Sequence, residues 1–125
     1  MKSSDPDTLL LGGGANGING RIYQIGVIRG ADMHITGFTG TATLYPAPGS
    51  TIGQYNDGGL TFGPNNVLFA TRYPVNQLEQ SKLGSTAPDK VIGLTAAGVT
   101  ASVGSVGFVP AGVPGAGKMK LISYN

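Results

Sequence analysis

Alternating apolar and polar positions predict that this chain forms mainly β-strands. The clearest strand is Arg21 to Arg29 (RIYQIGVIR), which is rich in β-branched and aromatic residues. A second strand is predicted within Ala31 to Tyr45, where threonines at 39, 41 and 43 alternate with Phe38, Ala42 and Leu44. Glycines at 37 and 40 mark the places where this strand is expected to bend.

Shorter strands and frequent turns are predicted for the rest of the chain. The predicted strands are Thr51 to Tyr55, Leu60 to Phe62, Val67 to Tyr73, Lys90 to Thr95 and Lys118 to Tyr124. A turn is expected at residues 56 to 59, where the sequence is Asn-Asp-Gly-Gly. The tail from Ala96 to Gly117 is predicted to hold one strand, followed by an extended connection that prolines fix.

Pro74 to Leu83 (PVNQLEQSKL) is the segment with helical character. Proline is tolerated in the first turn of a helix, and Gly84 stands where a helix would end. On this helix Glu79 and Lys82 would form an ion pair on the surface. The sequence therefore predicts a single mainly β domain over residues 1–125, a small antiparallel β-sandwich or barrel of roughly six to nine strands with one short helix.

A glycine motif near the amino end resembles a nucleotide-binding loop. Gly12, Gly14 and Gly17 have the spacing G-x-G-x-x-G after a short apolar run. Such a loop holds pyrophosphate on the first turn of a following helix, but strand-forming residues follow here. We therefore predict two strands joined by a turn, for which Asn16-Gly17 and Asn19-Gly20 are good signals.

Composition points toward association with other molecules. The chain has 22 Gly, only 11% charged residues and a net charge of +2. Glycines inside strands are destabilising, so many must lie in turns unless neighbouring molecules stabilise the fold. The basic residues are scattered, which argues against nucleic-acid binding, and the weakly charged surface favours assembly.

Catalytic and metal-binding patterns are weak. Asp32 and His34 would share a face if both lay on a strand, but two such side chains fit a polar pair better than a metal site. The only histidine has no nucleophilic serine in a suitable motif, so we predict no enzymatic activity, no cofactor and no metal. Tyr45, Tyr55 and Tyr73 stand beside turns, where they could stack on a sugar or pack into the core.

The sequence also bears on location. The amino end carries one Lys, two acids and an apolar run of three residues, so we expect no secretory signal. No stretch approaches the ~20 apolar residues of a membrane span. Without Cys, a disulfide framework is excluded. We expect synthesis in the host cytoplasm and no membrane partner.

In style, the chain resembles small virion proteins of tailed bacteriophages, in particular capsid decoration or cement proteins. The resemblance rests on the opening MKSSDPDTLLLGGG, the strand ITGFTGTATLY, the turn PAPGST and the tail GFVPAGVPGAG, and on no specific motif. It implies a β-rich virion protein without catalysis that binds the major capsid protein in many copies, often as a homotrimer. The same composition would suit a carbohydrate- or receptor-binding module of a tail or head fibre.

Both ends of the chain are predicted to make intermolecular contacts. Met1 to Thr8 should be a flexible arm, since it is polar and Pro6 disfavours a helix at Asp5. Residues 110–117 hold too little apolar surface to fix an extended conformation alone. The candidate interface residues are Ser3, Ser4, Asp5, Pro6, Pro110, Val113 and Pro114.

The glycine motif gives the first testable prediction. NAD or ATP at millimolar concentration should leave the melting temperature unchanged, because no helix start is expected to receive the phosphates. Differential scanning fluorimetry with increasing nucleotide measures this. A saturable rise of several degrees would contradict the prediction.

Overall fold

A computed structural model describes residues 5–100 and 103–123, and it shows a mainly β protein. The first sheet has the order β1-β2-β3, formed by Thr8–Gly13, Arg21–Arg29 and Ile35–Leu44. Both pairings are antiparallel. The predicted strand at 21–29 is confirmed, and β1 and β2 form the predicted hairpin across the glycine and asparagine loop.

The remaining described strands form two further antiparallel sheets. The second sheet has the order β4-β5-β6-β7, formed by Asn56–Phe62, Leu68–Arg72, Gln77–Ser81 and Lys90–Gly93. The third sheet pairs β8, Val103–Phe108, with β9, Met119–Ser123. Short 3-10 segments lie at Pro64–Asn66 and Thr95–Ala97. The described strands do not close into a barrel, and the arrangement is that of a small β-sandwich.

The second sheet has a buried cluster on each of its faces. Successive side chains of a strand point to opposite faces, so Leu68 packs into one cluster while Phe69 packs against the other. The first cluster joins this sheet to the first sheet and contains Leu10, Ile22, Tyr45, Ile52 and Leu68. The second cluster joins it to the third sheet and contains Leu78, Leu94, Val103 and Val106. The middle sheet therefore holds the other two together.

The helix predicted over Pro74 to Leu83 is wrong, because this segment contains strand β6. Residues 73–76 form the turn of a hairpin, and β6 pairs with β5 over its whole length. Asn76 has a φ of 49°, and its amide donates to Val99 O at 2.8 Å. Burial of Leu78 against the third sheet outweighs the helical propensity of the sequence.

Two short predictions around residue 55 are also wrong. Residues 52–55 form turns instead of a strand, and Gly53 and Tyr55 both have positive φ. The predicted turn at residues 56–59 lies inside β4, where the register with β5 shifts. Gly58, with a φ of 77°, lets the strand bulge without ending.

The two predicted interface segments are folded locally where they are described. Asp5 accepts hydrogen bonds from Asp7 N at 3.0 Å and from the Thr8 hydroxyl, so the described part of the predicted arm, residues 5–8, forms a turn. Residues 110–117 form consecutive turns between β8 and β9 instead of an extended connection. The loop closes with bonds such as Gly117 N to Val109 O at 2.9 Å, and positive φ at three glycines permits it.

The burial of β6 gives a prediction that separates a strand from a surface helix. Leu78→Ala should lower the free energy of unfolding by about 2–5 kcal/mol, because Leu78 is 3% exposed in the second cluster. Leu83→Ala is the matched control, and it should change stability by less than about 0.5 kcal/mol, since Leu83 is 54% exposed. Urea denaturation measures both. Equal effects would contradict this packing.

Candidate interaction surface

The first sheet has one face in the core and one face that is apolar but uncovered. Leu10 and Ile22 point into the first cluster. The alternate residues point outward, as the pairs Leu11 with Tyr23, Tyr23 with Leu44 and Val27 with Phe38 show. We call this side the outer face, and it is formed by Leu9, Leu11, Tyr23, Ile25, Val27, Phe38 and Leu44.

No other described strand lies over the outer face, but its side chains differ in exposure, since Leu9, Tyr23, Ile25 and Leu44 are half-buried. Leu11 is 42% exposed and Phe38 is 53% exposed. Val27 is buried, and it lies directly opposite Phe38 on the neighbouring strand. The contact of the first sheet with the second runs from β1 to β4. The outer face is therefore free among the described parts of the chain.

Charged groups stand at the ends of the outer face and leave its centre neutral. At one end Arg29 Nε donates to Asp7 Oδ1 at 3.0 Å, and the same guanidinium donates to the carbonyls of Pro6 and Met33. At the other end Arg21 donates to Ile18 O at 2.9 Å and to Gly20 O. Both cations are held by their own chain, so an apolar partner could meet the centre without burying a free charge.

The rest of the surface is also unusually apolar. Among the described residues, the exposed large apolar side chains outnumber the buried ones. Several of them lie on β7, β9 and the loop between β8 and β9, such as Val91, Ile122 and Val113. Single apolar residues on a surface are ordinary, but a contiguous group indicates an interaction site. On the outer face, two exposed residues, Leu11 and Phe38, are joined by half-buried apolar residues of the same face.

The sequence-predicted interface residues fall in three places. Ser3 and Ser4 lie outside the described residues. Asp5 and Pro6 lie at the Arg29 end of the outer face, where Pro6 O accepts from the guanidinium at 2.9 Å. Pro110, Val113 and Pro114 are exposed on the loop between β8 and β9. Since the first and third sheets pack on opposite faces of the second, the two groups do not form one surface.

Asp32 and His34 form the expected polar pair, but in the turn before β3 and not on a strand. His34 Nδ1 lies 2.7 Å from Asp32 Oδ2, and His34 N donates to Asp32 Oδ1 at 3.2 Å. Hydrogen bonds from His34 hold the pKa of the Asp32 carboxyl below its ordinary value. In residues 5–100 and 103–123, no group of three or more metal-binding side chains is present.

The three tyrosines near turns do not form a common stacking surface. Tyr45 is 2% exposed and belongs to the first cluster, where burial raises the pKa of its hydroxyl. The Tyr55 ring lies against Arg72, with 5.3 Å between the guanidinium carbon and the ring centroid. The sequence allowed these tyrosines either to stack on a sugar or to pack into the core, and Tyr45 packs into the core.

A buried acid that the sequence analysis placed on the surface is the most unusual polar group of the fold. Glu79 is 1% exposed, and its Oε1 accepts a hydrogen bond from Gly53 N at 2.9 Å. Its Oε2 lies 3.7 Å from Arg72 Nε and receives no hydrogen bond. Burial raises the pKa of the carboxyl, while the Gly53 N–H and the Arg72 charge oppose this shift. No periodicity in the sequence signals this role.

Glu79 holds the loop between the first two sheets. Arg72 Nε donates to Gln54 O at 3.0 Å, so the pair fixes Gly53 and Gln54 together. The pair of Glu79 and Arg72 is structural, because its groups bond to the backbone of the chain itself.

A surface cavity of about 300 Å³ lies beside the first cluster, between β1 and β4, with Leu10, Gly12, Leu60 and Phe62 in its lining.

Comparisons with known proteins gave no match to a protein-family model, a curated protein or a solved structure. Within the described residues, no helix has the length and apolar character needed to cross a membrane. The candidate site therefore stands on geometry and charge alone.

The raised pKa of Glu79 predicts a particular pH dependence. An acid whose pKa is raised on folding adds stability below its ordinary value of 4.5, and this is lost as the pH rises through the folded-state value. Compared with Glu79→Gln, the natural protein should therefore gain free energy of unfolding between pH 7 and pH 4. Urea titrations of both proteins at several pH values measure the difference, in which other titrating groups cancel.

A second variant of Glu79 serves as the control. Glu79→Ala should cost about 3–5 kcal/mol at pH 7, because it leaves the Gly53 N–H without its acceptor and the buried Arg72 charge without its counter-ion. Parallel pH curves for the natural protein and the Gln variant would contradict the assignment of the buried charge.

Proposed function

We propose that this protein is a non-enzymatic virion structural protein of the capsid decoration or cement type, which binds the major capsid protein in many copies and stabilises the shell. The observation that carries the proposal is the outer face of the first sheet. It is apolar, continuous over three strands and free of unpaired charge at its centre. Exposure of such a face to water raises the free energy of the protein, and a partner surface that covers the face removes this penalty.

The dimensions of the outer face suit a flat partner. Strand β2 has nine residues and spans roughly 30 Å, and the three strands lie about 5 Å apart. A partner that binds only the folded protein shifts the folding equilibrium toward the folded state. Binding to the shell would therefore offset the destabilisation that the 22 glycines cause. A low net charge also limits repulsion between copies crowded on one shell.

The predicted terminal contacts fit this arrangement in part. Asp5 and Pro6 lie beside the outer face and could touch the same partner. Pro110, Val113 and Pro114 lie on the other side of the molecule, where they could reach a neighbouring copy. The homotrimer that the resemblance implies would need such a second surface. A glycan-binding role has less support, since Tyr45 is buried.

The test of this function begins with virus particles. The chain should co-purify with intact particles in many copies, and it should rebind shells assembled without it. Leu11→Lys should weaken that binding at least about tenfold, because a Lys in an apolar interface loses its hydration. Co-sedimentation with shells measures the binding.

Leu83→Lys is the matched control, since Leu83 is exposed but lies after β6, away from the outer face. It should bind as the natural protein does, and both variants should keep their melting temperature. Absence of the chain from particles, equal binding by the two variants, or specific binding in a glycan array would overturn the proposal.

A further inference from the structure

Strand β3 is a long sheet edge that no other described strand covers, and register irregularities interrupt it on both sides of Gly37–Thr39. Its ten residues, Ile35–Leu44, include no charged residue and no proline. Natural proteins protect free edges with short strands, lysines, prolines or a covering element, since a free edge can pair with another chain. The edge strand β7 has four residues and carries Lys90, and β9 carries Lys120. Strand β1 instead lies beside β4, and β4 beside β8.

The backbone of Phe38 points away from its own sheet. Tyr45 N donates to Ile22 O, so the even-numbered residues of β2 bond toward β3. Among them, Gly26 is paired with Thr39 and Ile28 with Gly37. Phe38 lies between these two bonded pairs, and its N–H and C=O therefore face outward from the edge.

Exposed apolar side chains gather at the same segment. Ile28, Met33, Ile35 and Phe38 are all exposed, and Met33 reaches 65%. They flank the free edge, since Ile35 and Phe38 belong to β3 and Ile28 is paired with Gly37. Backbone groups and apolar side chains that both lack partners among the described residues therefore lie in one place.

We propose that β3 pairs antiparallel with β3 of a second copy, centred on Phe38, to form a continuous six-stranded sheet. In this register the two Phe38 residues exchange N–H···O bonds, and their rings meet on the outer face. The pairing is confined to Gly37–Thr39 of each copy, because the register irregularities on either side of this segment break the edge. This proposal goes beyond the virion function and does not require a shell.

Charge favours a second copy in this orientation. The paired segment is neutral, and the antiparallel arrangement puts the two Asp32 and His34 turns at opposite ends. A parallel arrangement would place like charges side by side.

Amide hydrogen exchange of the natural protein tests the pairing without any substitution. Between about 1 μM and 1 mM, the chain should pass from monomer to dimer in analytical ultracentrifugation. Over the same range the Phe38 amide should exchange at least tenfold more slowly. The Thr39 amide, which faces β2, should be protected at both concentrations. A monomer at 1 mM, or unchanged exchange at Phe38, would overturn the proposal.

Two substitutions of Phe38 distinguish the contribution of its backbone hydrogen bond to dimerisation from the contribution of its ring. Phe38→Ala removes the ring but keeps the outward N–H, and Phe38→Pro removes both. The dissociation constant should rise a few-fold for Ala and at least tenfold further for Pro, whereas both monomers stay folded by circular dichroism because an outward N–H makes no bond in its own sheet. Equal dissociation constants for the folded Ala and Pro variants, a dimer unaffected by either, or a trimer would place the contact elsewhere.

Discussion

The fold depends on a middle sheet that is buried on both faces. Leu68 and Phe69 are neighbours in β5, yet they belong to packing layers on opposite sides of the sheet. The outer sheets touch the middle sheet on one face each, so neither has a core without it. This constraint fixes where the polar groups of the middle sheet can go. Glu79 points into the first layer and must find its partners there, in Gly53 N–H and Arg72.

Local patterns predicted the parts of the fold whose partners are close in sequence. The hairpin of β1 and β2 follows from strand-forming residues around an Asn-Gly loop. Strands β5, β7 and β9 also lie within segments predicted as strands. The segment that became β6 has ordinary helical propensity, and its conformation is decided by pairing with β5 and by Leu78 packing against the third sheet. Such packing leaves no periodic trace in ten residues.

The candidate site was only partly visible in the sequence. The run Leu9-Leu10-Leu11 places apolar side chains on both faces of β1, which usually indicates a strand buried on both sides. Only the structure shows that the second side is open. In the sequence, Glu79 looks like any surface acid. The two groups that stabilise its buried carboxylate, Arg72 and the Gly53 N–H, lie seven and twenty-six positions away. The terminal contacts were predicted from the expected flexibility of both segments, and the described parts of these segments make hydrogen bonds within their own chain.

Two adjacent residues in the loop before β4 tie the first two sheets to each other. Ile52 O accepts from Ile22 N of the first sheet at 3.2 Å, and Gly53 N donates to Glu79 of the second sheet at 2.9 Å. A side-chain carbon at position 53 would lie 2.7 Å from Ile22, so the loop fits the gap only as glycine. The mechanical consequence is a set of directional bonds between the two layers, which also includes Asn56 of β4, whose amide donates to Gly13 O at 3.1 Å and whose carbonyl accepts from Asn16 N at 3.0 Å. Apolar contacts slide under shear with little resistance, whereas directional bonds resist it, so tangential force on the outer face would load this loop and Asn56 before the apolar layer.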